Sequence, residues 1–206
     1  MRLMVDEREV KLDRPTLAAA IAAGAGDAES RGRIVVEVKA DGVTLAERDI
    51  ESAPDIPGSF KEVALTTVSR GELAAGVLSA ASAALGDLAT AQRHVADQVL
   101  ATRLEPAAAG LQEVISVWQG VREASDQVCV LLATDLSTLA ESAGVGDQAR
   151  AAVDGLAAAL TGVRASVQAQ DWSTLADLLT DELTDLASSW QTVLGAITAS
   201  VYTPEG

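Results

Sequence analysis

Apolar positions along this chain keep two rhythms, and the change from one to the other falls near Gly71. Before that point they alternate with a period of two, the spacing that puts every second side chain on one face of a strand. Arg2–Val5 and Glu9–Leu12 flank Asp6-Glu7-Arg8 as a tight hairpin, and Arg33–Lys39 faces Val43–Leu45 across Asp41-Gly42. Asp-Gly between apolar runs favours a two-residue turn whose central residues both take positive φ. Leu17–Ala23 reads as a helix capped by Asp13 or Thr16, with Pro15 tolerated in its first turn. Gly24–Gly32 reads as a loop, Pro54 and Pro57-Gly58 mark another, and Phe60–Val68 reads as a last strand with Val63 and Leu65 on one face.

From Gly71 the period becomes about 3.5 and four helical segments follow. The first, Glu72–Leu104, stops at Glu105-Pro106, because the residue before proline is pushed out of the α region. The second, Ala107–Glu141, carries a stripe of Leu111, Val114, Trp118, Val121, Val128, Leu132 and Leu139. After the turn Gly144-Val145-Gly146, Asp147 caps a third, with Val153, Leu156, Leu160, Val163 and Val167 as its apolar seam. Asp171 caps the fourth, whose seam of Trp172, Leu175, Leu179, Leu183, Leu186, Trp190, Val193, Ile197 and Val201 lasts about four heptads. Short connections between long helices favour antiparallel neighbours. The expected class is therefore α+β: a strand-rich head over residues 1–70, then an antiparallel four-helix bundle over residues 71–206. A seam of this kind also suits pairing with a second copy of itself.

Composition sharpens the picture. Aromatic residues are 2% of the chain, so alanine and leucine carry the core. The net charge is −15 and unevenly spread: residues 1–70 hold 10 basic and 13 acidic side chains, residues 71–206 only 5 basic against 17 acidic. Affinity for nucleic acid rests on Lys and Arg neutralising phosphates, so neither DNA, RNA nor an anionic membrane is an expected partner. Met1-Arg2-Leu3-Met4-Val5 runs directly into charge without the apolar stretch of a signal peptide, and no uninterrupted apolar run reaches the roughly 18 residues of a membrane span. The single cysteine, Cys129, fits a reducing compartment, so a cytoplasmic location is expected.

Few residues offer chemistry. His94 is the sole histidine and has no second one with which to chelate a metal. Cys129 lies in an apolar run, unlike the electropositive setting of a nucleophilic thiol. Gly144-Val145-Gly146 is too short for a phosphate loop, and no Gly-x-Ser-x-Gly elbow occurs. Asp177, Asp181 and Asp185, with Glu182 beside them, line one helix face. Such a row is either a docking surface for a basic partner or a solvated face, and one straight face does not wrap a cation. Trp118, Trp172 and Trp190 all fall on seams, as core packing or as anchors for a partner helix. Neither an enzyme, a cofactor nor a resident metal is expected, and the partner-binding candidates are Trp118, Trp172, Trp190, Asp177, Asp181 and Asp185.

Three resemblances bear on this. The β-β-α-β-β-β order of the head resembles a small β-grasp, or ubiquitin-like, arrangement. Trp118-Gln119-Gly120 matches the Trp-x-Gly turn of small secreted helical-hairpin proteins, but here the stripe runs through it from Leu111 to Leu139, which argues against a bend. Asp171-Trp172-Ser173-Thr174-Leu175-Ala176-Asp177-Leu178-Leu179, with Asp181-Glu182-Leu183 and Trp190, looks like a pattern in uncharacterised bacterial helical-bundle proteins. The bundle resembles that of flagellar export chaperones, which implies a protein partner presenting a helical segment. The expected function is a non-enzymatic interaction module, a chaperone or adaptor for a helical or basic segment. A self-assembling scaffold and a metal- or small-molecule-binding bundle are the alternatives.

Overall fold

The computed structural model describes residues 1–53 and 56–202, so Pro54 lies outside the described residues. The protein is α+β: a mixed five-stranded sheet with a helix, then a long helical region of about six helices that pack together. It divides into two compact units, Met1–Leu73 and Ala74–Gly206, each with its own core.

In the first unit, strands β1 (Arg2–Val5) and β2 (Arg8–Val10) form an antiparallel hairpin. Its turn is two residues rather than three: Asp6 and Glu7 take φ of 48° and 66°, and Arg8 already pairs with Val5. Helix α1 (Leu17–Ser30) is capped by Thr16, whose hydroxyl accepts from the Ala19 amide at 3.2 Å. It runs through the segment expected to be a loop. Ala28 keeps the buried stripe going, and Arg31 closes the end with an ion pair to Asp27 at 2.7 Å. Strand β3 (Arg33–Ala40) turns at Asp41-Gly42, with φ of 47° and 85°, into β4 (Val43–Thr44). A short helix α2 (Glu47–Glu51), not expected from the sequence, precedes β5 (Glu62–Ser69).

The sheet order is β2-β1-β5-β3-β4, with β1 and β5 parallel and the other neighbours antiparallel. Leu3 pairs with Val63 and Val5 with Leu65, and all four are buried with Leu17 and Ala20 of α1. The intervening Met4 and Ala64 stand on the other face, as the period of two requires.

The second unit begins within α3 (Arg70–Leu100), which buries Leu78, Leu85, Leu88, Val95 and Val99. By length and averaged hydropathy α3 would also pass as a membrane span, yet its buried residues belong to the helical core. The break after it comes earlier than expected: Thr102 takes φ of 58°, and α4 (Leu104–Leu132) starts before Pro106. Proline is tolerated there because first-turn amides have no intrahelical acceptor. α4 continues without a break through Trp118-Gln119-Gly120 and ends at Ala133 with φ of 51°. Asp135 then caps a separate α5 (Leu136–Ser142), so the second expected helix is two.

α6 (Gly146–Ala169) follows, with Asp147 in its first turn rather than at its cap. Asp171 caps α7 (Trp172–Asp177) as expected; a π-helical turn over Leu178–Glu182 joins α7 to α8 (Leu183–Val201). Leu175, Leu179, Leu183, Trp190, Val193 and Ile197 of this composite helix are all buried, while Leu186 is partly so.

Candidate functional site

Of the seam expected on α6, only Val163 is fully buried. Ala149, Ala152, Ala159 and Val163 are its buried apolar residues, whereas Leu156 and Leu160 are only partly covered and Val153 is 43% exposed. Small residues let α6 lie close against its neighbours. A Cβ placed on Gly155 would stand 2.7 Å from Leu186 Cδ2, and one on Gly162 3.3 Å from Leu178 Cδ1. The larger side chains are thereby turned to the flank.

There they line a groove of about 340 Å³. Val121 and Ser125 of α4 form one wall, Leu156 and Leu160 of α6 the other, with Leu136 of α5 and Trp190 of α8 completing it. Trp190 is held by its indole N–H donating to the Ala152 carbonyl at 3.2 Å. A second hollow of about 290 Å³ shares Leu136 and Val153 and carries the groove on to Gly146. Together they track α6 from Gly146 to Leu160, about 20 Å at the rise of an α-helix. Charges at the rim pair locally, Arg122 with Asp126 at 3.8 Å and Arg150 with Asp147 at 3.2 Å, in exposed bridges that add little stability.

The sequence candidates separate into two places. Trp118 and Trp190 are enclosed, at 2% and 5% exposure, and Trp172 is half-buried against the same core. Only Trp190 also meets the groove. Asp177, Asp181 and Asp185 are all exposed along α7, the π turn and α8. Of the groove's residues, Val121, Val153, Leu156, Leu160 and Trp190 are expected from the sequence as buried seam, whereas Ser125 and Leu136 lie outside the expected stripes. The signal that distinguishes them is the run of Ala and Gly at 149, 152, 155, 159 and 162, a small-residue stripe at helical spacing that competes with the larger one.

Several other polar groups make contacts within their own unit. In the first unit Asp6 accepts from the Thr67 amide at 2.8 Å and hydroxyl at 2.5 Å, with Arg31 and Arg33 at 3.3 and 3.5 Å. Burial pushes the Asp6 carboxyl up, but the Thr67 bonds and the two guanidinium groups outweigh it and hold it below its usual range. In the helical core Thr184 donates to the fully buried Gln92 at 3.2 Å. His94 is exposed and bonded to Gln98 at 2.8 Å. Burial, then Asp126 and Asp135, push the Cys129 thiol up, which disfavours the thiolate. Among the described residues no group of three His, Cys, Asp or Glu side chains is placed to hold a metal. Comparison with family models, curated proteins and solved structures returned no match to this chain.

Proposed function

We propose that this protein is a non-enzymatic binding module in which the α4–α6 groove receives an apolar helical segment of a protein partner. The observation that carries the reading is the placement of Val153, Leu156 and Leu160, which a closed bundle would bury, along an open groove about as long as four helical turns. Apolar side chains in a contiguous groove mark interaction surfaces more often than isolated ones do. The exposed Asp177, Asp181 and Asp185 favour a basic flank on the partner. A chaperone or adaptor acting in the cytoplasm is the role that fits, with nucleic acid disfavoured by the −15 charge.

We read the scaffold as a β-grasp-like head and an antiparallel bundle of four long helical segments. Support for the head comes from the strand order β2-β1-β5-β3-β4 with a parallel central pair, and for the bundle from the short connections at residues 101–103 and 170–171. Self-assembly is the second reading, because a second copy would cover the same uncovered residues of α6.

Affinity capture with the tagged full-length chain, wild type beside Val153→Asp, separates these. The reading expects one dominant protein partner, weakened by salt and lost from the variant, with the variant's helical circular dichroism unchanged. Recovery of the chain alone, together with a dimer dissolved by Val153→Asp, would establish self-assembly instead. A partner retained equally by both proteins places the binding surface away from the groove.

A further inference from the structure

The first unit carries an open edge of a different kind. β3 is eight residues long, but its outer neighbour β4 is only two. Lys39 pairs with Thr44 and Ala40 with Val43, and the last backbone bond on that side runs from the Leu45 amide to the Val38 carbonyl at 2.9 Å. From Val36 back to Arg33, no strand among the described residues covers the outer edge, while β5 occupies the inner one. An uncovered edge presents N–H and C=O groups at the spacing an added strand requires, and proteins usually blunt it with charge or proline. Ile34, Val35 and Val36 stand there instead. A bulge between Val35 and Glu37 takes Val36 out of register with β5 and leaves it 48% exposed, and bulges commonly re-aim a side chain toward a site.

Beside that edge lies a cleft of about 460 Å³ between α1, β3 and α2, with Ile21, Val36, Leu45 and Ile50 in its walls. Its charged lining residues are Glu37, already paired with Lys39 at 2.8 Å, and Glu47. Backbone groups in strand spacing, apolar walls and the Glu47 carboxylate at the rim together specify one occupant. We propose that the outer edge of β3 is a strand-addition site for an extended segment of a partner protein, apolar at alternate positions and carrying Lys or Arg where it passes Glu47. Added strands gain affinity from backbone hydrogen bonds and specificity from pockets for alternate side chains. A second copy fits less well. Antiparallel self-pairing about Val35 would set Arg33 against the other copy's Glu37, but Arg33 is turned inward, 11% exposed, onto Thr67 and Asp6.

The test uses the full-length chain and a fluorescein-labelled peptide, Lys-Val-Thr-Val-Thr-Val-Lys, followed by fluorescence anisotropy. Binding is expected, at least about tenfold weaker for the same peptide with Glu at both ends and for one N-methylated at alternate residues. Val36→Asp, at an exposed position, is expected to weaken binding about tenfold with the thermal transition unchanged. Amide exchange within Arg33–Val38 is expected to slow when the peptide is added. No binding up to about 1 mM overturns the proposal, as does binding indifferent to N-methylation and to Val36→Asp. A dimer in sedimentation that Val36→Asp dissolves also overturns it, by showing that a second copy covers the edge.

Discussion

Gly24 and Gly26 lie two positions apart in α1 and answer opposite demands. Gly24 is buried, and a Cβ there would stand 2.5 Å from Leu65 Cδ2, in a core where Leu65 is 2% exposed. Gly26 is exposed, with nothing within 4 Å of its Cβ position. Gly24→Ala is therefore expected to destabilise the first unit by about 1–3 kcal/mol despite alanine's better helix propensity. Gly26→Ala should stabilise it by about 0.5–1 kcal/mol, and urea melts of the two variants check the opposite signs. Asp6 sets the pH response at the same scale. Its folded pKa is depressed, so its contribution is complete above the unfolded value near about 4 and is lost as pH falls through the folded one. Asp6→Asn, which removes the carboxylate shared by the two Thr67 donors and by Arg31 and Arg33, should cost about 1–3 kcal/mol at neutral pH. Stability of the variant should then fall less steeply between about pH 5 and pH 3 than that of the wild type.

At the scale of elements, what was legible in the sequence was whatever one local signal decides. Asp-Gly fixed the β3–β4 turn, the alternation of Val63 and Leu65 fixed the buried face of β5, and Asp171 fixed the start of α7. The missed boundaries are those where two signals compete. Glycine in α1 reads as a breaker, yet at Gly24 it serves close packing on Leu65. α6 holds two apolar stripes, and only tertiary contact decides that the small one is buried. The split between α4 and α5 was nevertheless written in the chain. Asp135-Leu136-Ser137-Thr138 repeats the cap of Asp171-Trp172-Ser173-Thr174, and each aspartate accepts from the amide and the hydroxyl of the threonine three residues on, at 2.8–3.1 Å. Those Thr138 bonds, amide first and hydroxyl next, hold the Asp135 carboxyl below its usual range, so the cap is intact at neutral pH and fails as pH falls through the lowered pKa. Asp135→Ala should speed amide exchange in α5 and lower Tm, whereas Asp135→Ser, which keeps an acceptor, should restore most of the protection.

For the whole molecule, charge should make stability and the proposed partner binding respond to salt in opposite directions. Residues 71–206 hold 17 acidic side chains against 5 basic ones, and exposed like charges repel one another in the compact state more than in the expanded one. Raising salt from about 20 to about 200 mM shortens the screening length from over 20 Å to under 10 Å, so Tm should rise. The same screening would weaken attraction between Asp177, Asp181 and Asp185 and a basic flank on the proposed partner, so its affinity should fall over that range. Neutralising the row as Asp177→Asn, Asp181→Asn and Asp185→Asn should raise Tm at low salt and flatten both dependences together. Affinity that is insensitive to salt and to the triple variant would mean that the partner engages through apolar contact alone, leaving the groove residues Val153 and Leu156 to carry recognition. A Tm that is flat with salt would mean that the acidic side chains lie too far apart to repel appreciably. The row would then bear on binding without any cost to the fold.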